Sequence, residues 1–193
     1  MNIPHTTTKL PSLSLFYPAH NEAGTIEESV LQALRILPEV SQVYEVIVIN
    51  DGSTDSTLAI ASRLAKEHRG IVRVISQKNK GYGGALKAGF KAARHDWIFF
   101  TDADMQFNLE EIHLLLEHTQ QNQLVLGFRL KRAEGYMRQF LADCLKIWNR
   151  VLLNFPQDII DIDCAFKLIH SDVIKSIEPL FSDGAMISTE ILL

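Results

Sequence analysis

The sequence predicts an α/β domain: a mostly parallel sheet flanked by helices on both faces. Short apolar runs rich in β-branched or aromatic residues recur along the chain, stretches with apolar residues at helical spacing follow them, and polar segments connect the two. Leu13-Ser-Leu-Phe-Tyr17 reads as the first strand, ended by Pro18, and residues 25–37 as a helix with Ile26, Val30, Leu34 and Leu37 on its inner face. Glu45-Val-Ile-Val-Ile49 is the second strand; Leu58, Ala61, Leu64 and Ala65 mark the next helix, which Ser53 or Thr54 can cap. Val72-Arg-Val-Ile75 is the third, ahead of a Gly-rich loop and a helix over 85–93. Trp97-Ile-Phe-Phe100 is the fourth, followed by a helix carrying Ile112, Leu115 and Leu116, and 124–128 reads as a fifth.

Strands this apolar are buried on both faces, and ligands of such sheets bind at the carboxyl ends of the strands. The polar clusters 18–22, 50–55, 79–84 and 102–106 all fall at that edge, so four loops are expected to converge on one crevice.

The pattern changes after Gly127. Residues 135–155 form a long helical stretch in which Tyr136, Phe140, Leu145, Trp148 and Phe155 alternate with Arg138, Lys146 and Arg150, amphipathic and basic enough to lie on an anionic membrane surface. A helix packed on its own domain explains the same stripe. Cys164-Ala-Phe-Lys-Leu-Ile169 reads as a further strand.

Bulk composition narrows the classes. With 193 residues, 47% hydrophobic and 22% charged, the chain suits one packed domain. A formal net charge of -4 supplies no cationic field for nucleic acid. Cys144 and Cys164 have no metal-ligand or disulfide-framework spacing, which fits a reducing compartment. Residues 1–12 read as a flexible tail rather than a secretory signal, and 13–193 as a single domain. No window reaches the roughly 18–20 apolar residues of a membrane-spanning helix. Glu190-Ile-Leu-Leu193 ends the chain on an apolar run with no breaker, so a continuation is expected there.

Asp102-Ala-Asp-Met-Gln106 carries the strongest chemical signal, because carboxylates two apart in an extended segment point the same way. A hard dication can then bridge Asp104, Gln106 and phosphate oxygens, acting as a Lewis acid for a leaving diphosphate. A solvated Asp pair capping the next helix is the plainer account. Asp51 can accept hydrogen bonds from a base or ribose, and Gly52 lets a backbone come close to a ligand, whereas Ser53 and Asp55 are explained by capping alone. Glu22 suits either a ribose hydroxyl or the dipole of the helix it opens. Asn79-Lys-Gly-Tyr-Gly-Gly84 looks like a phosphate-cradling loop but lacks the Walker spacing. His20, without a second imidazole, reads as a loop hydrogen-bonder rather than a metal ligand.

Taken in order, these clusters resemble family-two glycosyltransferases of the GT-A fold, in the branch similar to dolichol-phosphate mannose synthase and bacterial polyprenyl-phosphate glycosyltransferases. The family's P-x-x-N-E appears as Pro18, Asn21 and Glu22, its D-G-S-x-D as 51–55, its N-x-G as Asn79 to Gly81, and its D-A-D-x-Q as 102–106. Gly127-Phe-Arg129 is similar to its G-S-R, with Phe128 for Ser, and 161–167 to its D-x-x-S-G-F-R, with Cys164, Ala165 and Lys167 departing from it.

The resemblance implies a metal-dependent, inverting transfer of a sugar from a UDP- or GDP-sugar to a polyprenyl phosphate. Glu22 and Asp51 would hold the nucleoside, with Pro18, Asn21 and Gly81 in the same motifs. Asp102 would touch the ribose or diphosphate, or share the metal, and Asp104 with Gln106 would bind Mg2+ or Mn2+. Arg129 and Arg138 would meet the acceptor phosphate, as guanidinium forks suit its oxygens. An ionised phosphate acceptor hardly needs a strong base, which leaves Asp161 a positioning part near the attacking oxygen. Asp163 shares that candidacy. The expected location is peripheral, at the cytoplasmic face of a membrane. Other readings are a polysaccharide or soluble acceptor, and a non-catalytic nucleotide-sugar-binding domain. A nucleotidyltransferase would carry a basic Gly-rich loop after its first strand, and 18–24 has none.

Overall fold

The computed structural model describes residues 9–128, 161–162, 164–184 and 186–192. The predicted basic helix at 135–155 lies outside them.

The first four strands and the helices between them follow the expected alternation. β1 (Leu10–Ala19), α1 (Ile26–Val40), β2 (Ser41–Asp51), α2 (Thr57–Glu67), β3 (Val72–Gln77), α3 (Gly81–Ala92) and β4 (Trp97–Thr101) succeed one another. A 3-10 turn (Leu109–Glu111), α4 (Ile112–Leu116), β5 (Leu124–Leu126), β6 (Phe166–His170) and helices at Ser171–Ile177 and Ile187–Glu190 complete the described elements. The strands form one six-stranded sheet in the order β3-β2-β1-β4-β6-β5.

β1 pairs in parallel with β2 and β4, and β2 with β3. The expected mostly parallel sheet is therefore present, with one reversal: β6 inserts antiparallel between β4 and β5. β1 begins at Leu10, earlier than the Leu13 expected, and Pro18 lies inside it rather than ending it. Pairing with β4 stops at Phe16, so Pro18 is flanked only by β2, with Ile49 as its register partner.

Side chains alternate between two cores, as strand geometry requires. Leu13, Leu15, Val46, Val48 and Phe99 face α1, α2 and α4, packing on Val30, Leu37, Leu64 and Ile112. Phe16, Ile47, Ile49, Ile98 and Phe100 face α3 and the helices after β6, packing on Leu86, Phe90, Ile174 and Ile187. Phe16 stacks on Phe100 at 5.4 Å, and Phe90 meets both edge-on. Each such side chain stabilises the fold by about 1.5–3 kcal/mol. With both faces covered, the exposed carboxyl ends of β1–β4 carry the polar loops. No helix among the described residues is long and apolar enough to cross a membrane.

Candidate functional site

The loops after β1, β2, β3 and β4 meet at one sheet edge and enclose a crevice of about 260 Å³. Six of the residues singled out from sequence line it: Pro18, Glu22, Asp51, Gly81, Asp102 and Asp104. His20, Asn79 and Tyr82 line it too. The ends of three neighbouring strands, β2, β1 and β4, thus bring four carboxylates to the lining of one crevice, a set whose charge suits a cationic partner.

The β1 and β2 loops are tied together by hydrogen bonds. Asn21, at φ 60°, donates its backbone N–H to Ser53 Oγ at 3.0 Å, and its Oδ1 accepts the N–H of Thr54 at 2.8 Å. Asn21 is exposed and absent from the crevice lining, so its part is to join two loops. Ser53 and Thr54 are engaged there and do not cap α2. Asp55 does that work instead, its Oδ1 accepting the Thr57 N–H at 2.9 Å. The hydrogen bonds from Thr57 hold the Asp55 carboxyl below the usual carboxylate range. Buried Thr57 also accepts the N–H of Glu22 at 2.8 Å, which fixes Glu22 over the crevice.

Asp51 is buried at the end of β2, and its Oδ1 accepts from Gln77 Nε2 at 2.8 Å and from the Lys80 N–H at 2.9 Å. Its carbonyl lies 2.8 Å from His20 Nδ1. A carbonyl only accepts, so Nδ1 carries the proton and His20 serves as the loop hydrogen-bonder expected. Gly52 sits at φ +69°, where a Cβ would lie 2.6 Å from the Asn79 backbone nitrogen. The close approach it permits is therefore to a neighbouring loop, where the sequence suggested a ligand.

The Gly-rich turn is likewise occupied by the protein itself. Gly81 N–H donates to Asn79 Oδ1 at 3.0 Å, and Gly83 N–H to the Asp183 carbonyl at 2.9 Å. Lys87 pairs with the Asp183 carboxylate, which holds that carboxyl below its ordinary range. A Cβ on Gly83 would sit 2.6 Å from the backbone of residues 182 and 183. Gly81 and Gly83 admit the backbone near Asp183, and the amides of Lys80, Gly81 and Gly83 already have acceptors within the protein.

Beyond β4, Asp102 and Asp104 are both half-buried and Gln106 is exposed. The turn passes through Met105 at φ +61°, and Asp104 Oδ1 accepts the Gln106 N–H at 3.1 Å. Gln106 is not among the crevice-lining residues.

Asp161 is buried before β6 and is not part of the crevice lining. Arg129, Arg138 and Asp163 lie outside the described residues. Lys167, at a position where the resembled motif has Arg, is fully buried; its Nζ donates to the carbonyls of Ile162 (3.0 Å) and Cys164 and lies over the Phe100 ring. It braces the segment that follows Asp161.

Residues 14–177 match the family described as Glycosyl transferase family 2. The chain belongs to that family. It is 34% identical, over 68% of its length, to undecaprenyl-phosphate 4-deoxy-4-formamido-L-arabinose transferase of Aeromonas hydrophila, of which it spans 41%. To dolichyl-phosphate beta-glucosyltransferase of Saccharomyces cerevisiae it is 27% identical over 94% of its length, spanning 61% of that protein. The chain therefore covers less than two thirds of each of these relatives. Glucosyl-3-phosphoglycerate synthase of Mycobacterium tuberculosis, solved with Mn2+, uridine-diphosphate-glucose and phosphoglyceric acid, superposes with a TM-score of 0.73 at 21% identity, over 94% of this chain and 64% of that one. At that identity the likeness is one of fold, and it agrees with the GT-A-like architecture of this glycosyl transferase family 2 chain.

Proposed function

We propose that this chain is the nucleotide-sugar-binding, catalytic domain of an inverting glycosyltransferase that moves a sugar from a UDP- or GDP-sugar to a polyprenyl phosphate, with Mg2+ or Mn2+ at the acidic turn. The observation that carries this reading is the convergence of Glu22, Asp51, Asp102 and Asp104 on one crevice at the carboxyl edge of the sheet. The acceptors in the relatives' names, undecaprenyl phosphate and dolichyl phosphate, support the acceptor class.

The donor set fits a hard dication in its chemistry, since the carboxylates of Asp102 and Asp104 line the crevice at this turn, and diphosphate oxygens would have to complete the coordination. Asp104, with Asp102 and Gln106 beside it, would hold the ion and leave room for diphosphate oxygens. When bound, the ion offsets the negative charge of the leaving nucleotide. Asp51 and Glu22 orient the nucleoside from the rigid side of the crevice. Arg129 and Arg138 meet the acceptor phosphate, while Asp161 positions the attacking oxygen. Holding acceptor and donor in line supplies most of the rate. The domain works as a peripheral protein at the cytoplasmic face of a membrane.

The test is a thermal-shift series with UDP and GDP, with and without Mn2+. A ligand at about 100 times its Kd stabilises the folded state by about 2.7 kcal/mol, and the unfolding midpoint rises accordingly. Asp104→Ala is expected to abolish the Mn2+-dependent part of the rise, and an undiminished shift in that variant would remove Asp104 from the metal site. Sugar transfer to a polyprenyl phosphate then decides the acceptor. Tight nucleotide binding with no transfer would reassign the chain to a non-catalytic binder.

A further inference from the structure

We propose that Ser29, a buried residue of α1 that does not itself line the crevice, is a positioning residue for the acidic turn after β4. The inference rests on the cation site proposed at Asp104.

Ser29 is 2% exposed and lies on the inner face of α1, among Ile26, Val30 and Ala33. Its hydroxyl is 2.9 Å from the carbonyl of Ala103 and 3.0 Å from the carbonyl of Thr25. One hydroxyl has one proton to give. The Thr25 carbonyl already receives the helical N–H of Ser29 at 3.0 Å, so it is served without the hydroxyl. The Ala103 carbonyl is the partner for which the hydroxyl matters. Ala103 is itself buried and sits between Asp102 and Asp104. Because a peptide unit is planar, fixing its carbonyl fixes the plane that leads into Asp104 and so the direction in which that side chain leaves the backbone.

The same turn of helix reaches the other side of the crevice. Thr25, whose carbonyl faces Ser29, donates its own hydroxyl to Glu22 Oε2 at 2.9 Å. Tyr17 O–H, rising from β1, donates to the Ser29 carbonyl at 3.0 Å. The first turns of α1 therefore hold Glu22 by one side chain and the Asp102–Asp104 backbone by another. Ser29 sets the spacing between the residue proposed to hold the nucleoside and the residue proposed to hold the cation.

The experiment titrates Mn2+ into the purified chain at saturating UDP or GDP, whichever gives the larger shift, and reads the Mn2+ concentration for half-maximal rise of the unfolding midpoint. Ser29→Ala is expected to raise that concentration about three- to tenfold, the range expected for one net hydrogen bond. Its shift with nucleotide alone should match the unsubstituted chain. Tyr17→Phe is the control, since it deletes a buried hydrogen bond to the same residue but leaves the hydroxyl on Ala103. It should lower the midpoint without moving the Mn2+ requirement. The proposal is overturned if Ser29→Ala changes only the midpoint, or if the two variants move the Mn2+ requirement equally. If the unsubstituted chain shows no Mn2+ response with either nucleotide, the cation site itself falls and this proposal with it.

Discussion

The two walls of the crevice are built differently. The wall formed by the loops after β1, β2 and β3 is cross-linked throughout: Asn21 to Ser53 and Thr54, Glu22 to Thr57, Asp51 to Gln77 and Lys80, Gly52 against Asn79. In the opposite wall, the acidic turn after β4, the Ala103 carbonyl meets the Ser29 hydroxyl, Asp104 accepts from the Gln106 N–H, and Met105 sits at positive φ, as Asn21 does across the crevice. A preorganised wall suits a ligand portion with fixed shape. A carboxylate-rich wall suits one whose geometry is completed by charge.

Substitutions at Gly52, Thr57 and Met105 break or sharpen this contrast most directly. Gly52→Ala forces a Cβ into the Asn79 backbone and an alanine into left-handed φ, each costing about 1–3 kcal/mol. We expect a total loss of about 3 kcal/mol in urea unfolding, with weaker nucleotide binding. A loss below 1 kcal/mol would show the cross-linked wall to be compliant. Thr57→Val removes the acceptor of the part-buried Glu22 N–H and the hydroxyl's bond to Asp55, and should cost about 2 kcal/mol. If nucleotide affinity is unchanged in that variant, Glu22 does not depend on its tether. Met105→Gly is the smallest: relief of left-handed strain opposes the added entropy of the unfolded chain, leaving a net change of no more than about 1 kcal/mol in either direction. A larger loss would mean that the acidic turn is held as firmly as the wall facing it.

Much of the fold was readable because local pattern determines it. β-branched runs such as 45–49 and the stripe Ile26, Val30, Leu37 behave as their spacing requires, and the four polar clusters meet because alternating strands and helices leave their connections at one edge. What escaped depends on partners distant in sequence. The reversal of β6 appears in its pairing with β4, from Trp97 with His170 to Thr101 with Phe166, which no local period encodes. Gly52, Gly81 and Gly83 announced close approach without naming the partner, and the partners proved to be Asn79 and the backbone near Asp183. Lys167 carried a cation's usual expectation of solvent, yet nearby carbonyls and the Phe100 face allow it to be buried. Ser29 left one trace, a hydroxyl on an otherwise apolar helix face.

The insertion of β6 also bears on how the chain is made. β4 lies inside the finished sheet, but one of its two neighbours comes from a segment translated much later. While the ribosome works through the intervening stretch, Phe99 and Phe100 form part of a bare strand edge whose peptide groups can pair with another nascent chain. That edge closes only once residues 166–170 have been made and pair with β4.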